Sequence, residues 1–126
     1  MKIFYDDDAD LDIIKNLRVS VIGYGSQGHA HSNNLHDSGV DVTVGLREGS
    51  SSWSKANDAG LKVADIEEAV SGADLIMILA PDEFQQDLFE TKIKPNAREN
   101  CILAFAHGFN IHFKKIIPSQ KQSVIM

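Results

Sequence analysis

The chain has 126 residues, of which 43% are hydrophobic and 24% charged. That is the material of one globular domain with a core of its own, and it excludes a disordered chain. Twelve basic residues against eighteen acidic ones leave a net charge of −6, which argues against nucleic acid or anionic membrane as a general partner.

The chain opens with an acid run, Asp6-Asp7-Asp8, followed by Asp10 and Asp12. Acids suit a first helical turn, and they stand where a secretion signal needs apolar residues. No apolar run approaches the ~20 residues of a membrane span, so a cytoplasmic protein is expected. Leu11, Ile13, Ile14 and Leu17 give a short helical spacing. Arg18 to Gly23 is β-branched and stopped by glycine, which predicts a buried strand. A helix is predicted from Ser26 to Ser38, ended by Gly39, and a second strand from Val40 to Gly45. Ser52 is the expected cap of a helix from Trp53 to Ala59. Leu61 to Ala64 reads as a short strand, and Asp65 as the cap of a helix from Ile66 to Val70. Asp74 to Ala80 is the most apolar strand, closed by Pro81. A helix from Asp82 to Ile93, a strand from Cys101 to Ala106 and a short helix from Asn110 to Ile117 follow. Ser123 to Met126 begins a sixth strand. Strands alternate with helices and are apolar on both sides of the pleat. The expected fold is therefore α/β, a Rossmann-type doubly wound parallel sheet in one domain over residues 1–126.

The first strand runs into Gly23-Tyr24-Gly25-Ser26-Gln27-Gly28, and a helix follows. A G-x-G-x-x-G string is specific in that setting. Gly23 permits the turn, Gly25 lets the backbone approach a pyrophosphate, and Gly28 lets helix and strand pack closely. The helix start then offers N–H groups and partial positive charge to the anion. A plain glycine turn is the alternative.

The end of the second strand bears on which dinucleotide binds. An NAD-preferring domain places Asp or Glu there for the ribose 2′-OH. Here Gly45 takes that position, and Arg47, Ser50 and Ser52 follow in Val44-Gly-Leu-Arg-Glu-Gly-Ser-Ser-Ser52. A guanidinium fork with hydroxyl donors suits a 2′-phosphate, so NADPH is expected. Glu48 dissents if it points inward, and Arg47 has a plainer reading as a solvated surface residue.

Two further segments emerge at the same end of the sheet. Pro81-Asp82-Glu83-Phe84-Gln85 follows the fourth strand and is a candidate cofactor contact, or else a helix cap at Asp82. His107, after the fifth strand, is the candidate catalytic residue, an imidazole at the crevice rim; packing is its alternative. His29 and His31 diverge around a helix and share no metal. His112 is expected at the surface, Trp53 in packing beside the serine loop, and Cys101 as a small buried hydrophobe.

Taken together, Gly23-Tyr-Gly-Ser-Gln-Gly-His-Ala-His31, Val44-Gly-Leu-Arg-Glu-Gly-Ser-Ser-Ser-Trp53, Leu79-Ala-Pro-Asp-Glu83 and Phe105-Ala-His-Gly-Phe-Asn-Ile-His112 resemble the ketol-acid reductoisomerases. The resemblance covers almost the whole chain. It implies that Tyr24 to Gln27 hold the NADP diphosphate, that Arg47, Ser50 and Ser52 hold the 2′-phosphate, and that Asp82 to Gln85 touch the cofactor. It implies an active-site role for His107. The implied reaction is a magnesium-dependent alkyl shift in a 2-acetohydroxy acid such as 2-acetolactate or 2-aceto-2-hydroxybutyrate, then hydride transfer from NADPH to give a 2,3-dihydroxy acid, a step of valine and isoleucine biosynthesis. The family is longer. Its C-terminal helical domain supplies the magnesium ligands and most of the association surface, so this chain is expected to be a cofactor-binding part without a metal site and inactive alone. A free-standing NADP-binding regulatory module and the first domain of another NADP oxidoreductase, such as a hydroxyacid dehydrogenase, are the alternatives.

Overall fold

The computed structural model describes residues 1–126. A 3₁₀ turn at Asp6–Asp8 leads to α1 (Leu11–Lys15), β1 (Arg18–Ile22), α2 (Ser26–Asp37), β2 (Asp41–Leu46), α3 (Ser52–Asp58) and β3 (Lys62–Asp65). Then come α4 (Ile66–Val70), β4 (Leu75–Ile78), α5 (Asp82–Leu88), a π turn (Phe89–Ile93), β5 (Ile102–Phe105), α6 (Phe109–His112) and β6 (Ser123–Ile125). The strands form one sheet in the order β3-β2-β1-β4-β5-β6. Every neighbouring pair is parallel. This is the doubly wound order, and the expected fold class is borne out.

The pleat divides the apolar side chains between two layers. Val19, Val21 and Val44 face one side, with Ala56 of α3, Leu61 and the half-buried Leu35 of α2. Ile22, Ile76, Ile78 and Leu103 face the other, with Val70 of α4 and with Phe89 and Ile93 of the π turn. Burying each fully covered Val, Ile, Leu or Phe among them contributes about 1.5–3 kcal/mol. Cys101 is buried as expected, and His112 is exposed. Trp53 is half-buried against the α2–α3 layer.

Several local expectations are corrected. β2 runs one residue further, so Gly45 lies inside the strand, where a Cβ would stand 2.6 Å from Ile22 Cδ1. Ser52 is the first helical residue rather than the cap; its N–H donates to Ser50 Oγ at 3.3 Å. Asp65 holds the cap position of α4 without a side-chain bond. The helix after Pro81 changes to a π turn at Phe89, where the Lys94 N–H reaches the Phe89 carbonyl at 2.8 Å. α6 is shorter than expected: Lys114 turns left-handed (φ 54°), and the Lys115 and Ile116 N–H groups both donate to the Asn110 carbonyl. β3 and β6 are not buried on both sides, because they form the edges of the sheet.

Candidate functional site

The strand order reverses between β1 and β4, and a crevice of about 760 Å³ opens there at the carboxyl ends of the strands. Its floor is the glycine turn after β1. Gly23 sits at φ +101°, and a Cβ there would stand 3.2 Å from the Leu79 and Ala80 backbone, so glycine is required twice over. Tyr24 is tucked beneath the turn. Its hydroxyl accepts a hydrogen bond from Asn33 Nδ2 at 3.2 Å, and its ring meets His29 edge-on at 5.3 Å. The turn is thus held from below.

No protein group accepts from the amides of Tyr24 and Gly25. The first amides of α2, at Ser26, Gln27 and Gly28, are likewise unpaired, as at any helix start. Gly25 has an ordinary φ of −76°, and a Cβ built on it meets nothing within 4 Å. Neither backbone nor packing asks for glycine there. The open space above it, ringed by free donors at the start of a 12-residue helix, fits an anion such as a diphosphate.

Arg47 is the first residue to emerge beyond β2; it is exposed and lines the crevice with the half-buried Ser50 and Ser52. Glu48 is exposed and is not among the lining residues. Across the crevice lie the starts of α5 and α6. Asp82 Oδ2 stands 3.5 Å from His107 Nδ1, and the same nitrogen accepts from the Phe109 N–H at 3.2 Å. Gln85 Nε2 donates to the Ala80 carbonyl at 2.7 Å and to Asp82 Oδ1 at 3.3 Å.

The structure brings most of the expected site residues together. Gly23 to Gln27, the Arg47, Ser50 and Ser52 group, and Asp82, Phe84, Gln85 and His107 all line the crevice. Two do not. Gly28 is buried beneath the turn, where a Cβ would overlap the Gly23 carbonyl; its missing side chain serves packing, and only its unpaired amide is left to the site. Glu83 is exposed, turned away from the lining. Asn110, 2% exposed, was not anticipated as part of the site; it bonds both Asp82 and Gln85. The available signal was an amide between Phe109 and Ile111, an uncommon type for a position packed inward. No three His, Cys, Asp or Glu side chains come together as a metal-ligand set. The two crevice carboxylates, Asp82 and Asp87, do not make a magnesium site by themselves.

A family model described as "Acetohydroxy acid isomeroreductase, NADPH-binding domain" matches residues 13–126. A ketol-acid reductoisomerase (NADP(+)) of Psychrobacter sp. (strain PRwf-1) is 59% identical over 126 residues, which is 100% of this chain and 37% of that protein. The protein of the same name from Psychrobacter cryohalolentis is also 59% identical over the same shares. Among solved structures, an NADH-preferring ketol-acid reductoisomerase from an uncultured archean matches with a TM-score of 0.91 and 40% identity, over 98% of this chain and 39% of that one. A 3-hydroxyisobutyrate dehydrogenase of Mycobacterium tuberculosis reaches a TM-score of 0.70 at 20% identity, over 86% of this chain and 38% of that one, a likeness of fold alone. The chain therefore spans 37% of the length of the Psychrobacter relatives. With a family model over residues 13–126 and a glycine turn, arginine loop and histidine gathered on one crevice, the chain belongs to the ketol-acid reductoisomerase family, in its NADPH-binding domain.

Proposed function

We propose that the crevice holds NADPH with its diphosphate on the amides of Tyr24 to Gly28, its 2′-phosphate against Arg47, Ser50 and Ser52, and its nicotinamide end toward Asp82, Phe84, Gln85 and His107. The observation that carries this reading is Gly25, a glycine that neither backbone nor packing requires, under open space ringed by unpaired amides. The amides and the α2 dipole bind the diphosphate, and the turn pinned by Tyr24 needs no rearrangement to do so. The Arg47 guanidinium then distinguishes the two nicotinamide dinucleotides by a charge-assisted contact that NADH lacks.

Within a longer ketol-acid reductoisomerase, this domain supplies the hydride donor for converting 2-acetohydroxy acids to 2,3-dihydroxy acids in the cytoplasm. His107 faces the substrate, while the magnesium ions, the alkyl shift and self-association belong to residues outside this chain. Fluorescence titration of the chain with NADPH and NADH tests the cofactor reading. Tighter binding of NADPH by about 10–100-fold is expected from one to two charge-assisted contacts. Equal affinities contradict the 2′-phosphate assignment, and binding of neither nucleotide contradicts the whole reading. The archean relative named as NADH-preferring makes this comparison the discriminating one.

A further inference from the structure

Asn110 is the second residue of α6, with its side chain turned inward. Its Nδ2 donates to the Asp82 carbonyl at 3.0 Å and to Gln85 Oε1 at 2.9 Å. Gln85, 4% exposed, has only Nε2 left to give, and that group holds the Ala80 carbonyl and Asp82 Oδ1. Each amide orients the other, because flipping either one sets like groups face to face. In a buried setting that mismatch is costly. The pair joins α5 to α6, and it grips Asp82 by both its carbonyl and one carboxylate oxygen.

That grip bears on His107. Two groups compete for Nδ1. The Phe109 N–H needs Nδ1 bare and the ring proton on Nε2; the Asp82 carboxylate needs the proton on Nδ1. A neutral ring satisfies only one of them. With Asp82 restrained, its free Oδ2 stops at 3.5 Å, outside the ~2.7–3.2 Å of an N–H···O bond. The Phe109 amide, at 3.2 Å, prevails.

We propose that Asn110 is a positioning residue: with Gln85 it holds Asp82 off His107, and so keeps the neutral imidazole as the Nε2–H tautomer, with a proton to donate into the crevice. No proton is gained or lost, since the one ring proton sits on Nε2 instead of Nδ1. Such a donor suits the carbonyl or alkoxide oxygen of a small keto or hydroxy acid. The assignment of that ligand rests on the reading of the crevice as the hydride-transfer site, but the tautomer does not.

The test is the His107 tautomer in the ¹⁵N-labelled chain, read from long-range proton–nitrogen correlation spectra at alkaline pH and without nucleotide. The wild-type ring is expected to carry its proton on Nε2. Asn110→Ala and Gln85→Met release Asp82, and each is expected to move the proton toward Nδ1. Adding Asp82→Asn to Asn110→Ala removes the competing carboxylate and is expected to return the proton to Nε2, which a merely structural role for Asn110 does not produce. If Asn110→Ala fails to fold, Gln85→Met carries the same test, because it leaves Asn110 bonded to the Asp82 carbonyl. A wild-type ring protonated on Nδ1 overturns the proposal, as does a folded variant with the wild-type tautomer. Because no nucleotide is present, failure here and failure of the NADPH titration are separate results.

Discussion

The carbonyl of Gly23 lies where a side chain on Gly28 would begin. The two glycines lock α2 against the end of β1, whereas a side chain on Gly25 between them would meet nothing within 4 Å. Fold and binding are therefore separable within one turn. Gly28→Ala is expected to destabilise the chain by about 1–3 kcal/mol through overpacking. Gly25→Asp is expected to leave stability unchanged or slightly raised, because Asp is a good helix cap. It is nevertheless expected to weaken NADPH binding at least ~100-fold, by filling and charging the diphosphate space. Urea midpoints and nucleotide titrations of both variants check the pair. A Gly25→Asp chain that binds NADPH normally contradicts the site.

Arg47→Ala removes one charge-assisted contact, expected to be worth about 1.5–3 kcal/mol against a phosphate. NADPH affinity should fall roughly 10–100-fold while NADH affinity changes little. Equal losses for both nucleotides would place Arg47 elsewhere on the cofactor.

Cys101 is the only thiol in the chain, so its chemistry reports cleanly on the fold. Burial pushes its proton affinity above the ordinary value of 9.0, opposed in part by the hydrogen bond from Gln122. The unfolded chain then releases this proton first as pH rises. The Cys101 contribution to stability is intact below pH 9.0 and is lost as pH climbs toward the raised folded value. Urea midpoints from neutral to alkaline pH should fall more for the wild type than for Cys101→Ala. A thiol reagent at neutral pH should label Cys101 only as fast as the chain opens.

On its own the chain is expected not to turn over 2-acetolactate with magnesium and NADPH. The alkyl shift needs Lewis acids on the substrate oxygens, and this chain gathers no ligand set for them. Steady formation of a dihydroxy acid by the purified chain refutes that division of labour.

The sheet was legible because its central strands are short β-branched runs bounded by glycine or proline, such as Val19 to Ile22 and Leu75 to Ile78. The glycine turn was legible because Gly23 and Gly28 answer local backbone and packing needs, and the Arg47 loop because it directly follows a clear strand. The edge strands were misjudged, since Lys62 to Asp65 looks as strand-like as a central run while its burial depends on having one neighbour or two. The amide pair of Gln85 and Asn110 was not legible. It joins residues 25 apart in sequence, and nothing local announces that two amides will meet. The close packing expected of Gly28 from its motif is explained by the Gly23 carbonyl, which leaves no room for a side chain there.

If one crevice binds NADPH, the glycine turn and the arginine loop take hold of it together. Titrating NADPH into the ¹⁵N-labelled chain and following every backbone amide tests it most directly. The largest shifts are expected at Tyr24 to Gly28 and at Arg47 to Ser52, with smaller ones at Asp82 to Gln85 and His107. Saturable binding that leaves the Tyr24 to Gly28 amides unmoved, or no binding at millimolar NADPH, contradicts it.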